Sequence, residues 1–316
     1  MKNVKERIIQ SVKSVIPGAL RTVWWLVKIM LIVSFAIMLL NYFGIIAMIS
    51  HYLTPVFSWF GLPGEASLAY VSGYFVNCYS ALAVMATLNL DVRTTTILAV
   101  MVLCAHNIPM ETAVQKKTGT SAIRIVFVRT LSSLFLGWML NIMLPGQSTG
   151  HVTEYIEAAK LPFLNTLGNW LVDTLKIAIP MVLLVFSLTI FQRLLSEFGV
   201  IRYIAKFLRP IMKFFGLPPK TAFLWIVANI LGLAYGAAVM IDEAREGKVS
   251  RRDIDLLNHH ISISHSNLED LILFSTVGGL MPWMLFSRWI MSFFLVWERR
   301  LERFLAEKVK GVRSEE

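Results

Sequence analysis

Two short stretches of this 316-residue chain carry groups able to bind polar solutes or ions: His106-Asn-Ile-Pro-Met-Glu111 and Ser264-His-Ser-Asn-Leu-Glu-Asp270. Each sets an imidazole near a carboxylate at the end of an otherwise apolar run. In the second stretch, Asp255, His259, Ser262, Ser266 and Glu269 fall at i, i+4, i+7, i+11 and i+14, one face of a continuous helix, with Asp270 beside them and His265 on the flank. Ionisable groups facing lipid cost at least a few kcal/mol each, so such a face must line a polar site. The first stretch is polar only at Thr96, Asn107 and Glu111, and Pro109 is expected to break its helix just before Glu111. Asn77 and Asn229 add amides within two further apolar runs, able to bond a solute, unwound backbone or a neighbouring helix. His106, Asn107, Glu111, His265, Ser266, Asn267, Glu269 and Asp270, with Asn77 and Asn229, are the candidate substrate-binding residues.

Two other chemistries fit less well. His106/Glu111 and His265/Asp270 are each five residues apart, about 140° around an ideal helix. Neither H-E-x-x-H nor C-x-x-C is present, so no resident metal site is expected. A transient metal in a transport path is the alternative. His260 reads as an orienting or interfacial group. No Gly-rich phosphate loop, nucleophile elbow or paired catalytic carboxylate pattern occurs, so no catalytic residue is assigned and no enzyme activity is expected. No cofactor is expected beyond H+ or Na+ as a coupling ion.

The surrounding composition is that of a membrane protein. The chain is 56% apolar and 16% charged, against about half and about a quarter in soluble domains, and its mean hydropathy is +0.64. The net charge of +10 resides mostly at the ends of long apolar segments, which points to anionic lipid contacts and not to nucleic acid. Cys78 and Cys104 lie in apolar runs and leave the redox compartment open.

The chain also repeats itself. Leu53-Thr-Pro-Val-Phe-Ser-Trp-Phe-Gly-Leu-Pro63 returns as Leu208-Arg-Pro-Ile-Met-Lys-Phe-Phe-Gly-Leu-Pro218, with six of eleven positions identical at an offset of 155. The offset then becomes 159 and pairs His106 with His265, Glu111 with Asp270 and Gly119 with Gly278. The expected organisation is a basic amphipathic interfacial helix over 1–23 ended by Pro17-Gly18, a repeat over 24–144, an external linker over 145–169, a second repeat over 170–299 and a cytoplasmic tail over 300–316.

Each repeat holds four apolar stretches: about 24–50, 66–88, 94–114 and 122–144, then 170–195, 221–241, 254–276 and 279–298. Charge sets their topology. Residues 1–28 carry six Lys/Arg against Glu6, and 193–220 carry Arg193, Arg202, Lys206, Arg209, Lys213 and Lys220 against Glu197, so both belong inside. The 145–169 linker, with two acids and Lys160, belongs outside. An odd number of crossings per repeat follows, with the polar third stretch as a re-entrant or broken helix. That makes the repeats inverted. The positions equivalent to Arg202, Lys206, Arg209 and Lys213 are Ala47, His51, Thr54 and Ser58, as expected if equivalent helices lie at opposite faces.

His106-Asn-Ile-Pro-Met-Glu111, Ser264-His-Ser-Asn-Leu-Glu-Asp270 and both Phe-Gly-Leu-Pro turns resemble the nucleoside-recognition or gate domain family. That family includes gate segments of ferrous-iron transporters, part of the concentrative nucleoside transporters, and spore maturation proteins A and B. The chain has neither the GTPase domain of the iron transporters nor the extra scaffold helices of the nucleoside transporters. The resemblance implies a permease-like core. The expectation is therefore an all-α polytopic inner-membrane protein with both termini cytoplasmic. It would be a secondary transporter of a small polar solute, nucleoside-like by the resemblance. A divalent-metal permease and a non-transporting membrane subunit are the alternatives, and so little scaffold makes a homodimer an expected partner.

Overall fold

A computed structural model describes residues 4–88, 90–146 and 162–313. It is all-α, with no strand among the described residues. The helices are α1 (Val4–Tyr42), α2 (Ile45–Phe57), α3 (Ala66–Phe75), α4 (Cys78–Met85), α5 (Val92–Ala105), α6 (Ile108–Lys117) and α7 (Ala122–Met143). They are followed by α8 (Phe163–Glu197), α9 (Val200–Phe214), α10 (Ala222–Ile230), α11 (Leu233–Arg245), α12 (Arg251–Ile261), α13 (Asn267–Ser275) and α14 (Met281–Arg313). Short 3-10 turns at Ser58–Phe60 and Pro219–Thr221 follow α2 and α9. α1, α7, α8, and α5 with α6 counted together are long and apolar enough to cross a membrane.

Details recur at the repeat offsets. Gly44 and Gly199, both left-handed, precede α2 and α9. Asp91 and Ser250 cap α5 and α12 by accepting from the backbone N–H three residues on. Gly119 and Gly278 share a φ near 100° (105° and 100°). Ser133 Oγ donates to Met101 O at 2.8 Å and Ser292 Oγ to His260 O at 3.0 Å.

Several boundaries depart from the sequence expectation. The helix does not stop at Pro17-Gly18: α1 runs through Pro17, so residues 4–23 form no separate element. Packing accounts for it. α8 lies antiparallel along α1, with Arg7 bonded to Glu197, Met30 against Ala178, Trp170 Nε1 donating to Ser34 Oγ at 3.2 Å, and Tyr42 against Phe163. These contacts offset the backbone hydrogen bond that proline removes. The linker is shorter than 145–169, because α8 begins at Phe163; residues 147–161 lie outside the described residues.

The second stretches also differ, since neither is one helix. The first breaks at Val76-Asn77, where Asn77 is extended and its Oδ1 accepts from Ser80 N at 2.9 Å, capping α4. The second breaks at Gly232, whose φ of +92° suits glycine. Pro109 does not make the break in the third stretch. It is the second residue of α6, where its missing N–H has no intrahelical acceptor to serve, and the break lies upstream at His106-Asn107.

The chain forms two compact units that do not coincide with the repeats. The first takes α1 to α5, α7 from Ser133, α8, α13 from Glu269 and the following turn to Met284. Its centre is α5, in which Ile97 to Ala105 are all no more than 1% exposed, as expected of a helix apolar on every side. The second takes α6, α7 as far as Ser132, α9 to α12, the chain on to Leu268, and α14 from Leu285. At the offset of 159, residues 269–284 correspond to 110–125, so each repeat gives the equivalent segment to the unit built mainly from the other.

In the first unit the Ser58–Phe60 turn closes on Gly61, whose φ is +63°. A Cβ there would fall 2.1 Å from Asn141 Oδ1. Asn141 cannot easily give way, because Arg93 Nη2 donates to its Oδ1 and to its carbonyl at 2.6 Å, and its Nδ2 donates to Trp59 O at 3.1 Å. Gly61→Ala should therefore lower stability by about 1–3 kcal/mol. The equivalent Gly216→Ala meets the Trp297 ring at 3.1 Å and should cost less. Thermal unfolding of the two variants in detergent checks the order; equal losses would sink it.

Candidate functional site

The two interrupted third stretches build their junctions alike. α5 ends at Ala105, and the His106 ring turns back so that Nδ1 lies 3.2 Å from both Val102 O and Leu103 O. Asn107 then takes a left-handed conformation, φ 49°, and its N–H donates to Gly73 O of α3 at 2.8 Å. Glycine is needed at 73, since a Cβ would sit 2.9 Å from Val102 Cγ1. In the second unit, His265 Nδ1 meets Ile261 O at 2.8 Å, Ser266 is left-handed at φ 51°, and its N–H donates to Ala228 O of α10 at 3.0 Å. Asn107 and Ser266 are the non-glycine residues with positive φ among the described residues. Such strain persists only where surrounding contacts hold it, and it gathers at functional sites.

Each unit then brings a carboxylate from the other repeat to the histidine. In the first unit a ring nitrogen of His106 and a carboxylate oxygen of Asp270 are within 4.8 Å, and Cys78 Sγ is 3.9 Å from Asp270 Oδ1. The Tyr79 hydroxyl donates to Glu269 Oε1. Asn77, 5% exposed, uses Oδ1 for the cap while its Nδ2 has no hydrogen-bond partner among the described residues.

In the second unit Glu111 Oε1 lies 3.2 Å from His265 Nε2, and its Oε2 lies 2.6 Å from Arg129 Nη1, a guanidinium with no exposed surface. A carbonyl only accepts, so His265 carries a proton on Nδ1. Asn267 ties the junction together: Nδ2 donates to Asn229 Oδ1 and to Ser264 O, while Oδ1 accepts from the buried Arg288. Arg288 Nη1 also donates to Ile263 O at 3.3 Å, and Asn229 Nδ2 to Trp225 O at 2.8 Å.

The ten candidates therefore divide. Asn77, His106, Asn107, Glu269 and Asp270 gather in the first unit, and Glu111, Asn229, His265, Ser266 and Asn267 in the second. Arg129, Arg288, Tyr79 and Cys78 escaped the sequence reading. The two arginines had a signal, since each is a cation inside an apolar run and they are equivalent at the offset of 159.

The face running from Asp255 to Glu269 is cut by the break after Ile261, which separates Asp255 and His259 from the junction. They join an ionic cluster in the second unit instead. Arg299 Nε donates to Asp255 Oδ2 at 2.9 Å, Arg303 Nη2 donates to the same oxygen, and Arg124 Nε donates to His259 Nε2 at 2.7 Å. Arg124 also pairs with Glu298 and Glu302. Burial raises the Glu302 carboxyl, but hydrogen bonds from Arg299 and Arg124 outweigh it and hold the group at about 2. His260 is fully buried, edge-on to Phe215 at 4.5 Å, and accepts from Trp225 Nε1 at 3.2 Å.

Residues 23–133 match the Gate family, described as nucleoside recognition. The Gate match holds Asn77, His106, Asn107, Glu111 and Arg129. The chain is also similar to the membrane protein YvoD of Bacillus subtilis (strain 168), 29% identical over 261 residues that cover 82% of this chain and 84% of YvoD. No solved structure matches the chain. Gate similarity, the YvoD match and the long apolar helices together make this a membrane protein.

Proposed function

We propose that the chain is a secondary transporter of a small polar solute, with nucleosides the leading class and H+ or Na+ the coupling ion. The observation that carries this reading is the junction in each unit: an interrupted helix with a left-handed residue, a histidine tied to its own helix, and an acid from the other repeat. Interrupted helices at membrane depth are tolerated where protein or a water-filled cavity satisfies the freed backbone groups. In many transporters they carry the substrate and ion sites at the interface of inverted repeats. Glu269 with Tyr79, Asn77 and the Asp270–His106 pair offer donors and acceptors suited to a polyhydroxyl or heterocyclic solute. Glu111 beside His265 offers groups through which H+ coupling would run. The remainder of the proposal is an inner-membrane location, inverted repeats and cytoplasmic termini, by the Lys/Arg distribution.

The ring nitrogen of His106 beside a carboxylate oxygen of Asp270 favours a second reading, in which the cargo is a divalent metal. One panel separates the readings: thermal unfolding of purified protein with nucleosides, nucleobases, Na+, Fe2+, Mn2+ and Zn2+, repeated on Glu269→Gln. A ligand at about 100 times its dissociation constant stabilises by roughly 2.7 kcal/mol. Stabilisation by nucleosides that the variant loses is the expected result. A response to metals alone transfers the function to the second reading, and a flat panel removes both.

A further inference from the structure

Successive residues step about 100° around a helix, and on α9 that step separates three rows. Ile201, Ala205, Leu208 and Met212 turn toward the protein, and all but the half-buried Leu208 are buried. One step on, Arg202, Lys206, Arg209 and Lys213 are exposed. A further step on, Tyr203, Phe207 and Phe214 are exposed, the first two at 77%. A 15-residue helix is about 22 Å long, too short for a span of about 30 Å. A helix with one row on protein, one aromatic and one cationic fits the plane of the membrane interface, where rings enter the acyl boundary and cations meet headgroups.

Two observations say what the cationic row faces. Among the described residues, none of the four cations has a carboxylate within 4.0 Å, although the basic groups Lys220, Arg252, Arg299 and Arg303 of the same unit all do. Arg202 has only the Phe223 ring, 6.0 Å from its guanidinium carbon. The equivalent helix α2 serves as an internal comparison. With the turn that follows it, α2 keeps the exposed apolar row at Met48, Tyr52 and Trp59, but the equivalent of the cationic row is Ala47, His51, Thr54 and Ser58. The fold therefore requires the aromatic row and not the charges.

We infer that α9 is a docking surface for the phosphate headgroups of an anionic lipid leaflet, with Arg202, Lys206, Arg209 and Lys213 as the headgroup contacts and the Tyr203–Phe207–Phe214 row as the acyl-side anchor. α2 carries no such surface. The chain thereby marks one leaflet by lipid charge, whatever solute it moves.

The test reconstitutes the full chain in nanodiscs of phosphatidylcholine, alone or equimolar with phosphatidylglycerol, and measures the lipids retained after detergent extraction by native mass spectrometry. The wild-type protein should retain phosphatidylglycerol over phosphatidylcholine by on the order of tenfold, less at high salt. The variant R202Q/K206Q/R209Q/K213Q should bring the ratio near unity. K206Q/R209Q, which leaves both ends of the row charged, should fall between. R202K/R209K should keep the wild-type ratio, as should K116Q/K117Q on α6. A wild-type ratio near unity overturns the inference, as does full enrichment in either R202Q/K206Q/R209Q/K213Q or K206Q/R209Q. Loss in K116Q/K117Q equal to that in K206Q/R209Q also overturns it, because net charge would then be the cause. Displacement of the lipid by millimolar inorganic phosphate would make this a free-anion site and overturns the lipid assignment.

Discussion

Arg129→Met is expected to lower stability by about 3–5 kcal/mol, and adding Glu111→Met to recover most of that loss. Arg129 has no exposed surface and its Nη1 lies 2.6 Å from Glu111 Oε2. Methionine fills much of the arginine volume, so the loss comes chiefly from a carboxylate left at 12% side-chain exposure without its guanidinium. Replacing both partners removes the stranded charge, and a well-packed apolar pair is often as stable as a buried ion pair. Chemical denaturation in detergent reads both values. A single variant within about 1 kcal/mol of wild type would mean that the pair does not hold the second unit together.

The second large effect is on transport. Glu269→Gln should reduce uptake of the responding solute into proteoliposomes by roughly 10- to 100-fold, the usual worth of a hydrogen bond to a charged group, with little change in unfolding midpoint. Glu269 is half-buried and bonds the Tyr79 hydroxyl, which can donate equally well to the glutamine oxygen. The fold contact therefore survives and only the charge is removed. Glu111→Gln is a poorer instrument, because it strips the carboxylate from Arg129 and adds a stability loss to any loss of uptake. Unchanged uptake by Glu269→Gln would take Glu269 out of the site.

What was legible in the sequence follows from local rules. The all-α class, the repeat offsets and the broken polar third stretches all came from composition, spacing and the cost of charge in lipid. The break at Asn77 was hidden because an asparagine in an apolar run looks the same whether it packs in a helix or caps one. Only the extended backbone of that residue distinguishes the two. A glycine in an apolar run is equally ambiguous: it can let helices approach, as Gly236 does with a built Cβ 3.0 Å from Ala228 Cβ, or mark a break, as Gly232 does. The continuation of α1 through Pro17 depends on α8, more than a hundred residues away, and no window on the sequence contains that contact. For the same reason the spacing of His106 to Glu111 misleads: the acid that reaches His106 in its unit is Asp270, and the one that reaches His265 is Glu111.

That exchange governs how the protein can be made. Until residues 269–284 have been synthesised, Tyr79 and His106 wait for their acids, and the first unit stays incomplete although nearly all of it is already in the membrane. Contacts of such long sequence separation form slowly and leave intermediates exposed to mispairing.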